Sequence, residues 1–428
     1  MSATTTLVHG GPVLDVRGGT WREGAAVVVE NGYVTQVVGR DAVPHETDAE
    51  VIDADGGHIL PGLIDAHAHL MSRSGVEADA DLITRSVIDG VITARRFIES
   101  GITTVRDPGC KHRGIHTLRA ELAAGRVLGP RAFTAGPNVV GSGAPTDWRN
   151  VFADGNDAVR RAVRLERLAG ADFIKLVLSH TTADSDWSLC LRYLGDEEIA
   201  TAVHEAHLLG ARVGCHCEGI DAARAAVAAG VDVIDHGLTI DAPLAARMAR
   251  QGTVYVPTLW AFRTETHLTV GRTIAEDQAA VYEERIGAVH EQSVRNAVEA
   301  GVTIAAGSDP IHWIPARDVL VCELEALTAA GLSTADALRA ATLGSATALG
   351  EQDRLGSLET GYRADVLVVD GDPLADLRAL GRPRLVMKDG RVLVDLRDDK
   401  KASEALWADI ATGEPASERQ PEIWLRRD

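Results

Sequence analysis

Two histidines one residue apart, His67 and His69, close the run HILPGLIDAHAH at residues 58–69. On an extended chain, side chains at i and i+2 share a face, so both imidazoles can address one point. Two imidazoles converging at a strand end are half of a metal site. A bare HxH is equally well explained by two polar residues in a turn after a core strand. What lies downstream shifts the balance. Lys175 stands inside the apolar run FIKLVL, His216 ends RVGCH, His236 ends VIDH, and Asp309 ends VTIAAGSD. One such residue satisfies a core hydrogen bond; six ionisable residues at the ends of short apolar runs form a ring able to hold metal.

Lys175 has its own physics. A buried ammonium is costly, and burial lowers its pKa. A neutral amine beside cations can take up carbon dioxide and become a carbamate, an anion whose two oxygens can bridge two metal ions. From the strand alone, a lysine that snorkels to a pocket mouth or pairs with an acid is an equal reading. Beside the histidines, the bridging reading is favoured.

Such a set needs rigid elements behind it. Residues 58–354 alternate short apolar runs with helical stretches. The runs lie at 59–64, 103–107, 131–135, 173–178, 212–216, 233–236, 253–258 and 302–309. Ala-rich amphipathic segments such as 196–209 and 221–229 separate them, and Gly101, Gly170, Gly210, Gly230, Gly252 and Gly301 stand at helix-closing positions. Eight strand–helix units of this length predict an α/β fold, a (β/α)8 TIM barrel with its active site at the C-terminal ends of the strands. The competing doubly wound sheet lacks a Gly-x-Gly-x-x-Gly loop after its first strand. Residues 1–57 and 355–400 read as short strands broken by turn signals such as Asn31-Gly32. They predict one small β-sandwich domain built from both chain ends, with Pro61-Gly62 marking its border with the barrel. The stretch 264–300 exceeds one connecting helix and reads as extra helix or a lid. The segment 401–428 reads as a polar tail.

Composition bounds the partners. The 428 residues carry a formal charge of −19, which argues against nucleic acid or an anionic membrane surface. No run of apolar residues is long enough to span a bilayer, and the first residues lack a secretory pattern. Five cysteines at irregular spacing do not read as a disulfide framework, so a reduced cytoplasm is the expected compartment.

The motifs LPGLIDAHAH (60–69), ADFIK (171–175), CHCEGI (215–220), GVDVIDHG (230–237), GSD (307–309), ATLGSATALG (341–350) and GYRADVLVV (361–369) together resemble the amidohydrolase superfamily, in its imidazolonepropionase-like and Xaa-Pro-dipeptidase-like branch. The resemblance spans nearly the whole chain and implies a binuclear metal centre. His67, His69 and Asp309 would hold a buried ion, His216 and His236 an outer one, and N6-carboxylated Lys175 with a hydroxide would bridge them. Zinc is the expected metal, with manganese or cobalt as alternatives. Asp309 would take a proton from the bridging hydroxide and pass it to a leaving amine. The implied activity is hydrolysis of an amide-type carbon–nitrogen bond in a small molecule. Another activated bond (carbamate, urea, lactone or phosphotriester) is the alternative, and a metal-free scaffold barrel the non-enzymatic one. A homo-oligomer is the expected assembly.

Departures from that branch fall on the substrate wall. LSHT follows Lys175 where many relatives have Thr-Gly-Gly, Cys217-Glu218 follows His216 where relatives often have Ala-Tyr, and GPNVVGSGAP (136–145) replaces a Gly-Gly-His. His180 and Glu218 are therefore the candidate substrate contacts. Cys215 and Cys217 flank His216 but should face away from it by strand alternation. His204-Glu205-Ala206-His207 resembles HExxH with the wrong spacing and reads as a solvated helix face. His112, His116 and His312 read as solvated loop histidines. Trp148, Trp187, Trp260 and Trp313 fall in loops expected at the mouth.

Overall fold

The structure is a computed structural model that describes residues 5–39, 49–71, 80–110, 112–144, 150–179, 191–262, 276–310 and 316–397. Two parallel sheets occupy its middle. One orders Arg131–Thr134, Ile102–Asp107 and Leu63–Asp65; the other runs Asn150–Phe152, Asn138–Val140, Ile174–Val177, Val213–Cys217, Val233–His236 and Val254–Val256. Every pairing within both sheets is parallel. Parallel neighbours need a crossover, and helices such as Asn156–Ala169, Asp196–Leu208, Ile220–Ala229 and Ala242–Gln251 supply it. The fold is thus α/β with parallel sheets.

Local chemistry starts and stops these helices. Asp241 caps Ala242–Gln251 by accepting the Leu244 N–H at 2.9 Å. Gly170 and Gly230, both left-handed, close the helices before them at φ 107° and 87°. Between strands and helices lies a continuous apolar core that includes Ile174, Leu176, Cys215, Ile234, Val203 and Val227. Its alternation with Lys175 and His216 turns those two side chains to the opposite face of their strands.

Backbone hydrogen bonds help to join the two parallel sheets, the second of them through the 302–309 segment. Asp172 N–H donates to the Thr134 carbonyl at 2.8 Å, and Ala66 N–H to the Ala306 carbonyl at 2.8 Å. The expected last strand, 302–309, is represented among the described residues by one parallel bridge, Tyr255 to Ile304. A five-residue π-turn, Ala340–Gly344, is packed against this segment: Ala306 N–H donates to the Ala340 carbonyl at 3.1 Å. A Cβ at Gly344 would sit 2.2 Å from the Ile304 carbonyl oxygen, so the ATLG motif serves the chain that carries Asp309.

Strands from both chain ends form two mixed sheets. One orders Tyr33–Gly39, Ala25–Glu30, Thr5–His9 and Glu50–Asp53; the other orders Arg391–Asp395, Pro383–Lys388, Val366–Val369, His58–Pro61, Val13–Asp15 and Thr20–Arg22. Val8, Val27, Ile52, Ile59, Val366 and Leu385 meet in one core between them. The single strand expected at 59–64 is two strands. His58–Pro61 pairs antiparallel with Val366–Val369, and Leu63–Asp65 pairs parallel with Ile102–Asp107. Gly62 is the break, because a Cβ there would lie 2.3 Å from the Thr103 hydroxyl oxygen. In the 264–300 stretch, the described residues hold the helix Glu276–Glu299. Among the described residues, no helix is long and apolar enough to cross a membrane.

Candidate metal centre

His67 and His69 follow the Leu63–Asp65 strand, and Asp309 follows the bridge at Ile304. Fully buried Asp65 ties the two segments together. Its carboxylate accepts the Ser308 N–H at 3.0 Å, the His67 N–H at 3.1 Å and the Ser308 hydroxyl. Asp309 N–H adds a bond to the His67 carbonyl at 2.7 Å. Burial drives the Asp65 carboxyl up to about 7 against those bonds. Asp309 itself has φ 38°, a left-handed conformation that its surroundings must hold in place.

Both imidazoles are oriented by what their Nδ1 atoms touch. His67 Nδ1 donates to Asp235 Oδ1 at 3.0 Å and His69 Nδ1 to the Gly109 carbonyl at 3.0 Å. Asp107 fixes that carbonyl's loop by accepting N–H groups from Leu70 at 2.9 Å and Gly109 at 3.1 Å. Each Nε2 then carries the lone pair, and these atoms lie 3.7 and 3.4 Å from the Asp309 carboxylate. Ligand atoms of His67, His69 and Asp309 all fall within 4.8 Å of one another. Two neutral imidazoles and a carboxylate converging this way suit a divalent ion. Burial pulls His67 down to about 4, against the pull of Asp309 and Asp235. Burial works against Asp309 too, but the imidazoles of His67 and His69 outweigh it and hold the carboxyl well below the usual range.

The other arc comes from three neighbouring strands. Register sets Val177 opposite His216 and Cys217 opposite His236. The rings form a row: His69 to His67 at 5.4 Å between centroids, His67 to His236 at 4.8 Å, His236 to His216 at 4.3 Å. His236 is left-handed at φ 69°, as is Thr258 at φ 53°, and strain of this kind needs a clamp. The clamp has three parts. Tyr255 Oη donates to the carbonyls of His236 and Gly237 at 3.0 and 2.9 Å, His290 Nε2 to the His236 carbonyl at 2.8 Å, and Thr258 Oγ1 lies 2.8 Å from His236 Nδ1. Burial, then repulsion from His216 and His67, drive the His236 imidazole well below its ordinary value.

Lys175 is 3% exposed, and its Nζ donates to Asp235 Oδ2. Of the two bland readings of this lysine, pairing with an acid is the one seen. Burial lowers its pKa, Asp235 opposes that, and Arg106 adds to it. Asp235 also takes both Arg106 terminal nitrogens, at 2.9 and 3.3 Å. Asp235 and Arg106 were missed from sequence. The signal was there: each is a charge inside an apolar run, the same feature that singled out Lys175.

Glu218, expected at the mouth, is 2% exposed, and its Oε1 lies 2.8 Å from His216 Nε2. Ser179 Oγ accepts the Glu218 and Gly219 N–H groups at 3.0 and 3.1 Å and so builds that turn. His180 lies outside the described residues, as do Trp148, Trp187, Trp313 and His312. Cys215 and Cys217 are buried in the core away from His216. His204 and His207 are exposed on a helix, with His207 Nε2 2.9 Å from Asp232. The solvated-loop reading of His112 and His116 is corrected. Both are buried, and His116 lies on the helix Gly114–Ala123 with its Nδ1 2.8 Å from Thr134 Oγ1. The apolar face of that helix carries His116 inward, a helical period that the loop reading overlooked.

Comparison with known proteins adds an independent line. A family model described as the amidohydrolase family matches residues 58–393. The ochratoxinase of Aspergillus niger is 26% identical over 420 residues, covering 90% of this chain and 85% of that protein. A crystal structure of an amidohydrolase superposes with a TM-score of 0.79 at 30% identity, over 92% of this chain and 99% of that one. A Xaa-Pro dipeptidase with methionine bound in its active site gives a TM-score of 0.79 at 25% identity, over 91% and 99%.

Proposed function

The chain belongs to the amidohydrolase family, and on that premise we propose a metal-dependent hydrolase that cleaves an amide-type carbon–nitrogen bond in a small molecule. The observation that carries this reading is the convergence of His67, His69 and Asp309 within 4.8 Å, with both imidazole Nδ1 atoms already bonded elsewhere. In this reading the two parallel sheets are arcs of one (β/α)8 barrel. The bonds Asp172 to Thr134 and Ala66 to Ala306 are where the arcs meet. The two mixed sheets and their shared core are the β-sandwich of the chain ends.

His67, His69 and Asp309 would hold one divalent ion, and His216 and His236 a second, with zinc first and manganese or cobalt as alternatives. Lys175 would join in holding them once its neutral amine adds to carbon dioxide. A nitrogen–carbon bond forms, one N–H proton leaves, and the neutral amine becomes an anionic carbamate. Bound ions would supply an activated water and an electrophile for the scissile carbonyl. The chain supplies the rest. The partly buried Asp309 carboxylate accepts a proton at Oδ and returns it to the departing amine. Neutral His67 and His236 keep their lone pairs for ligation at ordinary pH. Burial of His67, His69, Lys175 and His236 limits the access of bulk water to the ring.

Likeness to an ochratoxinase and a Xaa-Pro dipeptidase supports starting a substrate screen with N-acyl amino acids and dipeptides, followed by aryl amides, carbamates and ureas. The reading expects two ions per chain after supplementation with zinc or manganese and turnover of at least one amide class. Protein that retains far less than two ions and hydrolyses none of the panel would overturn it in favour of a scaffold.

A further inference from the structure

Asp235 sits at the junction of four strands and touches three charged or ligating side chains at once. Oδ1 accepts from His67 Nδ1 at 3.0 Å and from an Arg106 nitrogen at 2.9 Å; Oδ2 accepts from the second Arg106 nitrogen at 3.3 Å and from Lys175 Nζ. Arg106 is 1% exposed, and Asp235 is fully buried. The same guanidinium nitrogen that reaches Oδ1 also donates to the Ala66 carbonyl at 2.9 Å, next to His67. The other side of the guanidinium lies over the Phe173 ring, 4.4 Å from its centroid. A planar fork gripped at both ends has one position available to it.

The neighbouring strand leaves room for that position. Register sets Gly214 opposite Lys175 on one side and Val233 on the other. A Cβ at Gly214 would lie 2.1 Å from Arg106 Nη2 and 3.5 Å from Asp235 Oδ2. Any larger residue would push the guanidinium off the carboxylate.

We propose that Arg106 and Asp235 form a positioning pair for the metal centre, with Gly214 as the slot that admits it. Asp235 fixes His67 in the tautomer that leaves Nε2 free and sets where the Lys175 nitrogen lies. Arg106 holds Asp235 in place and is the cation that lets that carboxylate stand beside Lys175 after the lysine becomes an anion. Neither residue touches substrate. This rests on the metal-dependent reading above, and its logic is that of a hydrogen-bonded carboxylate behind a metal-binding imidazole.

Three variants test it: Asp235→Ala, Arg106→Gln and Gly214→Ala. Asp235→Ala leaves buried cations without their anion and is the variant most prone to unfolding. Gly214→Ala removes no charge and is read if either of the others is recovered unfolded. Each folded variant should show kcat lowered about 10- to 100-fold, the range for losing such a support, with KM nearly unchanged. Bound metal should fall below wild type. In metal-free protein, 15N NMR of the His67 ring should show a protonated Nδ1 in wild type and a mixed tautomer in the variants. In an Arg106→Gln background, Gly214→Ala should add little, because its effect runs through Arg106. A folded Arg106→Gln or Gly214→Ala protein with wild-type metal content, kcat and His67 shifts overturns the pair, even if its melting temperature drops. A wild-type protein that takes up no metal overturns the functional reading instead, and the His67 shifts of the metal-free protein still decide the pair.

Discussion

His67, His69 and Asp309 present ligand atoms within 4.8 Å of one another, each imidazole with its Nδ1 already committed, whereas on the facing arc Lys175 and His216 turn their nitrogens to the carboxylates of Asp235 and Glu218. The first arc is assembled from backbone. The bond from Asp309 N–H to the His67 carbonyl and the Asp65 carboxylate between Ser308 and His67 lock two loops into one unit. On the second arc acids satisfy Lys175 and His216, and His236 Nδ1 lies against the Thr258 hydroxyl. One arc has its ligand atoms gathered as folded; the other, on the proposed reading, would need an ion and a chemical change at Lys175. The two arcs should therefore fail differently.

The largest effect is expected at the first arc. His67→Ala removes a ligand and leaves Asp235 with one partner fewer. Activity should fall well beyond the about 10- to 100-fold typical of losing a supporting hydrogen bond, and metal analysis should show both ions gone. Retention of one tightly held ion would mean that the inner site does not depend on this arc. Next comes Lys175→Ala, which should abolish turnover but strip the protein unevenly: one ion released, the other kept by His67, His69 and Asp309. Wild-type protein grown on 13C-labelled carbon dioxide should show a carbamate carbon that this variant lacks. Two full equivalents of metal in the variant would remove the case for a bridge.

Glu218→Ala is expected to be milder. If the carboxylate steadies His216 as Asp235 steadies His67, the second ion should bind about 10-fold more weakly with KM little changed. A raised KM with both ions intact would return Glu218 to the role of substrate contact that its sequence position suggested.

These contrasts also mark what the sequence made legible. The six candidate ligands stood out because five follow or close apolar runs and Lys175 is a charge inside one, and strand period alone turned Cys215 and Cys217 away from His216. Parallel strands alternating with glycine-closed helices were readable for the same local reasons. What escaped notice were contacts between distant runs. Asp235 meets Lys175 across 60 residues and Arg106 across 129, and no local pattern encodes such a meeting. Glu218 escaped differently: its place after His216 suggested the mouth, but the Ser179 hydroxyl folds that turn inward. His116 shows the limit of reading type without period, since a histidine on the buried stripe of a helix looks like any loop histidine until the helix is drawn.

Acid should separate the arcs in metal-free protein. An unfolded imidazole takes a proton near 6.5, but folded His67 resists until about 4, so its contribution is present above 6.5 and is lost as pH falls from there toward 4. Asp65 has the opposite sign. Its folded carboxyl titrates near 7 rather than near 3.8, so protonation through that window stabilises the fold as pH falls. Within the first arc the two shifts, each worth roughly 3–4 kcal/mol by linkage, largely cancel. His236, driven well below 6.5, adds an uncompensated loss on the second arc. Urea unfolding in the presence of a chelator should give lower stability at pH 4.5 than at pH 7. The opposite slope would show that Asp65 dominates and that His236 is not buried as a neutral imidazole.

The smallest effect is expected outside both arcs, where sequence offers a decoy. His204 and His207 flank Glu205 as if they were a zinc motif, but both imidazoles are exposed on the helix Asp196–Leu208. Glu205 is buried and accepts from Arg164 Nε at 2.6 Å, and His207 meets Asp232, so the acid and one histidine are already spent on packing helix to helix and helix to strand. His204 faces solvent with no such role. His204→Ala should leave the metal count and kcat at wild type and change stability by no more than about 0.5 kcal/mol, as for an ordinary surface substitution. Measured by metal analysis and urea unfolding, loss of an ion in this variant would place a ligand on the outer helical layer and contradict the assignment of metal to the strand ends.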